Sequence, residues 1–417
     1  MSAEDGPLLS YTLRNAGKHV QRIVRQHSNG PVLSRLVLPC IPKLDSDAED
    51  SFDYSYLRLK NAPSRAKGKP VRIVDLFCGC GGLSLGASEA CSALGLSFTP
   101  VMAVDISPSC VEVYDSNLGA SSLKQDIRKL LDGHVNHAPT GNERQVMMSV
   151  GRVDLLVAGP PCQGNSDLNN YTRRNDARNS LYVSVARFVE LVRPNHVLIE
   201  NVPAVRRGKE GALRTSLDVI EDLGYQIDSG VVNLSELGVP QRRKRHIVAA
   251  SLRTTPSISD TMAKYKVSSR RSAWWAIADL EHAKSISLFN TPAKHTKQNM
   301  KRIGYLHRHN VYDLPNRLRP PCQKQESHTY KSMYGRIKRD EPIQTVTSGY
   351  GSPGQGRFVH PTQLRTLTPH EAARLQFFPD FFDFSAVTRR TLLADMIGNA
   401  APMKLSFVFA LEMLGSR

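Results

Sequence analysis

Residues 73–84 read Ile73-Val-Asp75-Leu-Phe77-Cys-Gly79-Cys-Gly81-Gly82-Leu-Ser84, a short apolar run passing into a glycine-rich turn and then a helical pattern. Strand, tight turn and helix in that order form the opening unit of a parallel sheet with crossover helices. Glycines in the turn let a ligand approach the backbone closely. The spacing falls short of the full G-x-G-x-x-G pattern, because Ser84 stands at the last glycine position. That argues against a loop shaped around the pyrophosphate of a dinucleotide.

The same texture continues on both sides of that turn. Short apolar runs at 73–77, 100–105, 153–159, 196–201 and 246–252 predict buried strands, and 82–94, 107–117, 180–192 and 212–223 predict the helices between them. The expected fold is α/β, a doubly wound, Rossmann-like, mostly parallel sheet. In such sheets ligands sit beyond the carboxyl ends of the strands, so the residues just after each strand are the candidates for chemistry. Asp105 ends the second strand, placed to accept hydrogen bonds from ribose hydroxyls, and Asp126 follows a third short segment, placed to receive an adenine amino group. Turn and acids together describe an adenosine pocket without a phosphate requirement.

Gly159-Pro160-Pro161-Cys162-Gln163-Gly164 follows the next strand. A cysteine on a proline-stiffened turn at a strand end is displayed rather than packed, and its thiolate is the nucleophilic form. The polar, basic segment behind it, with Ser166, Tyr171, Arg173, Arg174 and Arg178, suits a loop that closes over a polyanion. Glu200-Asn201-Val202 ends the fifth strand and brings a carboxyl suited to proton exchange with a substrate nitrogen. In Gln241-Arg242-Arg243-Lys244-Arg245, alternate residues of an extended segment share a face, so Gln241, Arg243 and Arg245 are expected to point together. Arg242 and Lys244 then remain as a plain phosphate-binding pair.

The chain has 417 residues and a net charge of +17. Residues 241–345 hold 22 Lys and Arg against 7 Asp and Glu, so the excess sits in one stretch. A sign bias that localised is the footprint of a nucleic-acid surface. From 253 to 364 regular patterning stops, which predicts a smaller irregular basic lobe; helical patterning returns at 368–376 and 392–414. The expected division is an N-terminal extension without an expected fold at 1–68, an α/β domain at 69–252, the basic region with the patterning that follows it at 253–391, and a C-terminal helical segment at 392–417. Seven cysteines, odd in number and without paired C-x-x-C spacing, point to free thiols in a reducing compartment rather than a disulfide framework or a zinc site, so no metal is expected. With no long apolar run and no signal-peptide pattern, the expected location is cytoplasmic, with the nucleoid, and no membrane is involved.

In this order the segments closely resemble the cytosine-5 DNA methyltransferase family of bacterial type, which uses S-adenosylmethionine. The likeness runs from Val71 to the C-terminus apart from the basic lobe, and includes Thr368-Pro-His-Glu371-Ala-Ala-Arg374-Leu-Gln376 and Gly398-Asn399-Ala-Ala-Pro402 as its last two motifs. The resemblance implies a class I methyltransferase fold and methyl transfer to carbon 5 of a flipped-out cytosine in double-stranded DNA. It implies Cys162 as nucleophile at carbon 6, Glu200 at the ring N3, and Arg243 and Arg245 orienting Glu200 and the base or holding the flanking phosphate. It places Asp75, Phe77, Gly79, Gly81, Gly82, Asp105, Ile106, Asp126, Pro160 and Asn399 around the cofactor, and Gln163, Ser166, Arg178 and Gln241 on DNA. It further implies that 69–252 carry catalysis and cofactor binding, that 253–391 form a target-recognition domain and hinge, and that the C-terminal helix at 392–417 returns to the catalytic domain. It also implies a monomer, either solitary or the modification half of a restriction–modification system without a stable complex with the endonuclease.

Asn165 stands where the family often has Phe, Asp105 where Glu is commoner and Ala401 where Val is usual; none removes a catalytic group. The transfer-RNA branch of the family carries a Cys-Phe-Thr signature that this sequence lacks. A non-catalytic relative typically loses the nucleophile or the glycine turn, and both are intact. A nucleotide-dependent dehydrogenase fails on the glycine spacing and the basic lobe.

Overall fold

The first segment is an antiparallel sheet, β1 (Leu8–Arg14), β2 (His19–Arg25) and β3 (Val32–Pro39), followed by α1 (Ala48–Leu57). The computed structural model describes residues 6–41, 47–119, 122–161, 180–207, 211–324 and 332–415. The central part runs β4 (Pro70–Leu76), α2 (Gly82–Ala93), β5 (Ser97–Asp105), α3 (Pro108–Leu118), β6 (Ser122–Lys124), α4 (Ile127–Leu130), α5 (Gly141–Val150), β7 (Leu155–Ala158), α6 (Ser180–Val192), β8 (His196–Asn201), α7 (Ala212–Asp222), β9 (Gln226–Asn233), β10 (Gln241–Arg242) and β11 (Lys244–Ser251). The remainder is α8 (Ile258–Lys264), α9 (Ala273–Ile277), α10 (Lys297–Arg308), β12 (Ile343–Gln344), α11 (Pro369–Leu375), α12 (Arg390–Asn399) and α13 (Met403–Gly415).

Seven strands form one sheet in the order β6-β5-β4-β7-β8-β11-β9. β4 through β8 pair in parallel, and β11 runs antiparallel to both β8 and β9. This is the doubly wound, mostly parallel sheet that the alternating pattern predicts. All five expected strands form, and β6 and β9 are added. Neither is legible beforehand, since β6 has three residues and β9 is a largely polar strand at the sheet edge.

Successive side chains serve opposite faces. Leu155, Val157, Leu198, Ile247 and Ala249 join the core beneath α2 and α13, while Leu156, Ala158, Val197, Ile199 and Val248 join the core beneath α5, α6 and α7. Each fully buried Val, Leu or Ile adds about 1.5–3 kcal/mol, which explains why these strands are apolar on both sides. Glu200 and Asp75 are therefore polar exceptions within apolar strands.

The C-terminal helix packs directly on the helix after the glycine turn. A Cβ on Gly82 would lie 2.2 Å from the Ala401 carbonyl oxygen, and one on Gly86 would lie 2.1 Å from that of Met403. Ser406 Oγ donates to the Leu83 carbonyl at 2.7 Å. Two glycines four residues apart thus permit backbone-to-backbone approach of α2 and α13.

Residues 8–57, for which the sequence offers no expected fold, are seated on the same two helices. Arg22 pairs with Glu89 of α2 at 2.6 Å, Ser34 Oγ donates to the Ala93 carbonyl at 2.6 Å, and Lys404 of α13 pairs with Asp53 at 2.6 Å. After β11, Trp275, Ala276 and Ile277 of α9 still belong to the main core, whereas Ile303, Leu306, Leu314, Met333, Tyr334 and Val359 form a small core of their own. The independent part of the basic region is accordingly smaller than its composition suggests. Among the described residues no helix is long and apolar enough to cross a membrane.

Candidate active site

The carboxyl ends of β4, β5, β7 and β8 open into a cavity of about 1440 Å³ that is closed on the far side by β10, the segment through β12 and the end of α12. Pockets for one small ligand usually span ~300–1,000 Å³, so this one has room for two groups side by side.

One half is built by the turn after β4. Phe77 and Gly79 take left-handed backbone angles, φ 60° and φ 52°. A Cβ on Gly79 would meet nothing within 4 Å, so the turn exposes backbone to the cavity, as close approach by a ligand requires. Asp105 at the end of β5 accepts from the Gly79 amide at 2.9 Å and the Ser107 amide at 2.8 Å, which ties turn and acid together. Burial pushes its carboxyl pKa up, against those two hydrogen bonds. The next side chain, Ile106, is 69 % exposed while lining the cavity, an apolar surface suited to a flat ring. Asp126 caps α4 and is gripped by Arg128 at 2.6 Å, so a ligand amino group there would share the carboxylate with Arg128. Phe77, Gly82, Pro160 and Asn399 complete this half.

Two of the expected cofactor residues are displaced. Asp75 and Gly81 do not line the cavity. Asp75 lies beneath the turn, where Ser84 Oγ donates to it at 2.6 Å and Tyr114 in turn donates to Ser84 at 2.9 Å. Burial raises its carboxyl pKa to about 7. Gly81 has φ 94°, and a Cβ there would lie 2.5 Å from Leu118, so its reason is packing and backbone angle.

The other half gathers around Glu200. Its Oε1 lies 2.5 Å from Arg245 Nε, and both side chains are nearly buried. The antiparallel register sets Ile247 opposite Glu200, making Arg245 its diagonal neighbour on the same face. A Cβ on Gly159 would sit 3.9 Å from Glu200 Oε2 and 4.0 Å from the Phe77 carbonyl, so the residues leading to Cys162, the acid and the glycine turn converge. Asn201 Nδ2 donates to the Pro160 carbonyl at 3.2 Å and steadies that approach. Asn201 is a positioning residue visible in the sequence only as part of its tripeptide. Cys162, Gln163, Ser166 and Arg178 lie outside the described residues.

Gln241, Arg243 and Arg245 are all buried, as their alternation predicts, yet only Arg245 reaches the acid. Gln241 is fully buried; it donates to the Leu375 carbonyl at 2.8 Å and Gln376 Oε1 at 2.6 Å, and accepts from the Val346 amide at 3.0 Å. With its amide spent on the interior it is not a DNA contact, contrary to the expectation from sequence. Arg243 donates to the carbonyls of Val346 at 3.1 Å and Ala400 at 3.0 Å, and burial with the nearby Arg245 pushes its guanidinium pKa well below the usual arginine value. It joins the strap around β12 to the Asn399 loop and does not orient the acid directly. Gln376, which donates to the Ile397 carbonyl at 2.7 Å, belongs to the same joint.

A reversed final strand inserted beside β8, with a glycine turn and an acid at adjoining strand ends facing a second, carboxylate-lined half-cavity, defines a class I methyltransferase fold. Among curated relatives the chain is 42 % identical over 398 residues to the Type II methyltransferase M1.BsuMI of Bacillus subtilis, covering 95 % of this chain and 92 % of that protein. The chain belongs to the C-5 cytosine-specific DNA methylase family, whose model matches residues 71–414, and is thereby a DNA (cytosine-5-)-methyltransferase. It is also 28 % identical over 353 residues to the Type II methylase M.HgiDII of Herpetosiphon aurantiacus, covering 81 % of this chain and 93 % of that one. Its fold matches the solved structure of Dnmt2 methyltransferase from S. pombe with a TM-score of 0.58 at 18 % identity, covering 83 % of this chain and 99 % of that one. A DNA modification methyltransferase encoded within an E. coli prophage gives a TM-score of 0.55 at 22 % identity, covering 82 % and 98 %.

Proposed function

We propose that the enzyme transfers the methyl group of S-adenosylmethionine to carbon 5 of a cytosine flipped out of duplex DNA, through a covalent bond from Cys162 to carbon 6. The observation that supports this reading is that Gly159, three residues before Cys162 in the chain, lies close to Glu200 and to the Phe77 carbonyl of the glycine turn in one cavity. The residues fit the cofactor: open space at Gly79, an exposed Ile106 for the adenine, and Asp105 for the ribose, with Asp126 and Asn399 at the rim. When bound, that cofactor supplies an electrophilic methyl on a sulfonium.

The chain's own groups then do the following. A flipped base is needed because carbons 5 and 6 are unreachable in the stack. The Cys162 thiolate forms a bond to carbon 6; the electrons of the 5,6 double bond shift to a 4,5 double bond, and those of the carbon 4–N3 double bond move onto N3. Glu200, held by Arg245, gives a proton to N3 and neutralises the charge that develops there. Carbon 5 takes the methyl as that methyl's bond to the sulfonium sulfur breaks, leaving a neutral thioether, and the N3 proton returns to Glu200. The carbon 5 proton then passes to a base, and its electrons restore the 5,6 double bond and expel Cys162 as thiolate. Arg243 acts here as a positioning residue for the Asn399 loop. Gln163, Ser166 and Arg178 would contact the DNA, and the lobe around α10 would read the sequence in the groove. The Type II names of the relatives support a place as the modification half of a restriction–modification system; in this reading the enzyme works as a monomer, with any endonuclease acting separately.

Incubation with unmethylated bacterial DNA and S-adenosylmethionine, followed by sequencing that distinguishes 5-methylcytosine, should reveal methylation at one short motif. The Cys162→Ala variant should bind cofactor and DNA and leave the DNA unmodified. Turnover by that variant, or methylation of RNA alone, would refute the mechanism or the substrate.

A further inference from the structure

The recognition-lobe side of the cavity carries one carboxylate among cations. Arg242, Lys244, Lys338 and Arg357 all line it, and Glu341 is the one acid among the described lining residues from 337 to 357. Glu341 is held on both oxygens, by Arg242 Nη2 at 2.6 Å and by Lys338 Nζ at 2.8 Å. The two cations come from different parts of the molecule, Arg242 from β10 and Lys338 from the turn before β12.

Both stand on backbone that other contacts secure. Gln241 and Arg243, either side of Arg242, are buried, and β10 pairs in parallel with β12. In the turn, the Ala273 amide donates to the Glu341 carbonyl at 2.8 Å and the Trp274 amide to that of Arg339 at 3.1 Å. The Arg339 guanidinium sits 4.4 Å from the Trp274 ring centre. The three side chains themselves stay open to solvent, 54 % for Arg242, 39 % for Glu341 and 45 % for Lys338. Ion pairs that exposed are weak enough to exchange for another anion.

A carboxylate shares one negative charge over two oxygens, as the two non-bridging oxygens of a phosphodiester do. We propose that Arg242 and Lys338 form a clamp for one backbone phosphate of DNA, and that Glu341 occupies the clamp in the free protein as its stand-in. This rests on DNA being the substrate and adds where its backbone is gripped. β10 leads within three residues to Arg245, the partner of Glu200, so a phosphate seated there is registered to the catalytic carboxylate. Such a contact carries no sequence information and sets position. Glu341 holds both cations in place and, because it must be displaced, weakens binding to arbitrary DNA.

The test is binding of the full chain to a short duplex of arbitrary sequence, by fluorescence anisotropy over a range of salt. Glu341→Gln should tighten binding about threefold or more at low salt, alike for every sequence. The double variant Arg242→Ala with Lys338→Ala should weaken it and lower the slope of log affinity against log salt by about one, the signature of one lost phosphate contact. Unchanged or weaker binding by Glu341→Gln, with its melting temperature intact, overturns the clamp, as does a wild-type salt slope in the double variant. If Glu341→Gln melts early, Arg242→Gln with Lys338→Gln gives the same reading from the cation side. A wild-type protein that binds no DNA would instead sink the substrate reading.

Discussion

Asp75 offers a measurable consequence of burying a carboxyl under the cofactor turn. Its pKa is raised from an ordinary 3.8 to about 7, burial outweighing the hydrogen bond from Ser84. In the unfolded chain the group loses its proton near its ordinary value; in the folded chain it keeps it until about pH 7. Below the unfolded value both states are protonated and stability is unaffected. As pH rises through this window the unfolded state alone ionises, so stability falls, and above about pH 7 the loss is complete. At about 1.4 kcal/mol per pH unit the whole loss is about 4 kcal/mol, of which roughly 3 kcal/mol falls between about pH 5 and pH 8. Asp75→Asn cannot titrate, and its amide oxygen still accepts from Ser84. Urea unfolding of both proteins across that range should show the variant gaining about 3 kcal/mol relative to wild type as pH rises. Since Asp75 does not line the cavity, cofactor affinity at neutral pH should change by no more than about twofold. A stability difference that stays constant with pH would refute the reasoning, because Asp75 would then be ionised in place.

Two further outcomes follow from the site. Gly398→Ala puts a Cβ 2.2 Å from the Ser348 amide nitrogen and 2.4 Å from the Thr347 carbonyl carbon. Those are backbone atoms that cannot swing aside, so the ~1 kcal/mol gain in helix propensity is outweighed by overpacking of about 1–3 kcal/mol. Thermal unfolding should show lower stability and calorimetry weaker cofactor binding, since Asn399 is displaced; an unaltered melting temperature would mean that the strap and the Asn399 loop do not meet as described. Glu200→Gln should slow single-turnover methyl transfer by about 10²–10⁴-fold with cofactor affinity retained, and an unchanged rate would remove Glu200 from proton transfer.

What the sequence determined by itself is local. Apolar runs marked the strands because both faces of this sheet are covered, and the glycine turn, Asp105 and Glu200 stood out because polar or flexible residues interrupt those runs at strand ends. Motif order then singled out a methyltransferase before any contact was known. The alternation of Gln241, Arg243 and Arg245 correctly marked one face, but a period of two says which residues share a side and nothing of what that side meets. Only the tertiary structure turned Gln241 and Arg243 inward to carbonyls of distant segments, and left Arg245 alone at Glu200. It likewise put Asp75 beneath the turn and not beside the ligand, and gave Gly82 to the Ala401 carbonyl. The N-terminal sheet had no legible signal, because its order comes from partners such as Glu89, Ala93 and Lys404, far away in the chain. Element formation depends on neighbours in sequence; the office of each side chain depends on what long-range packing brings against it.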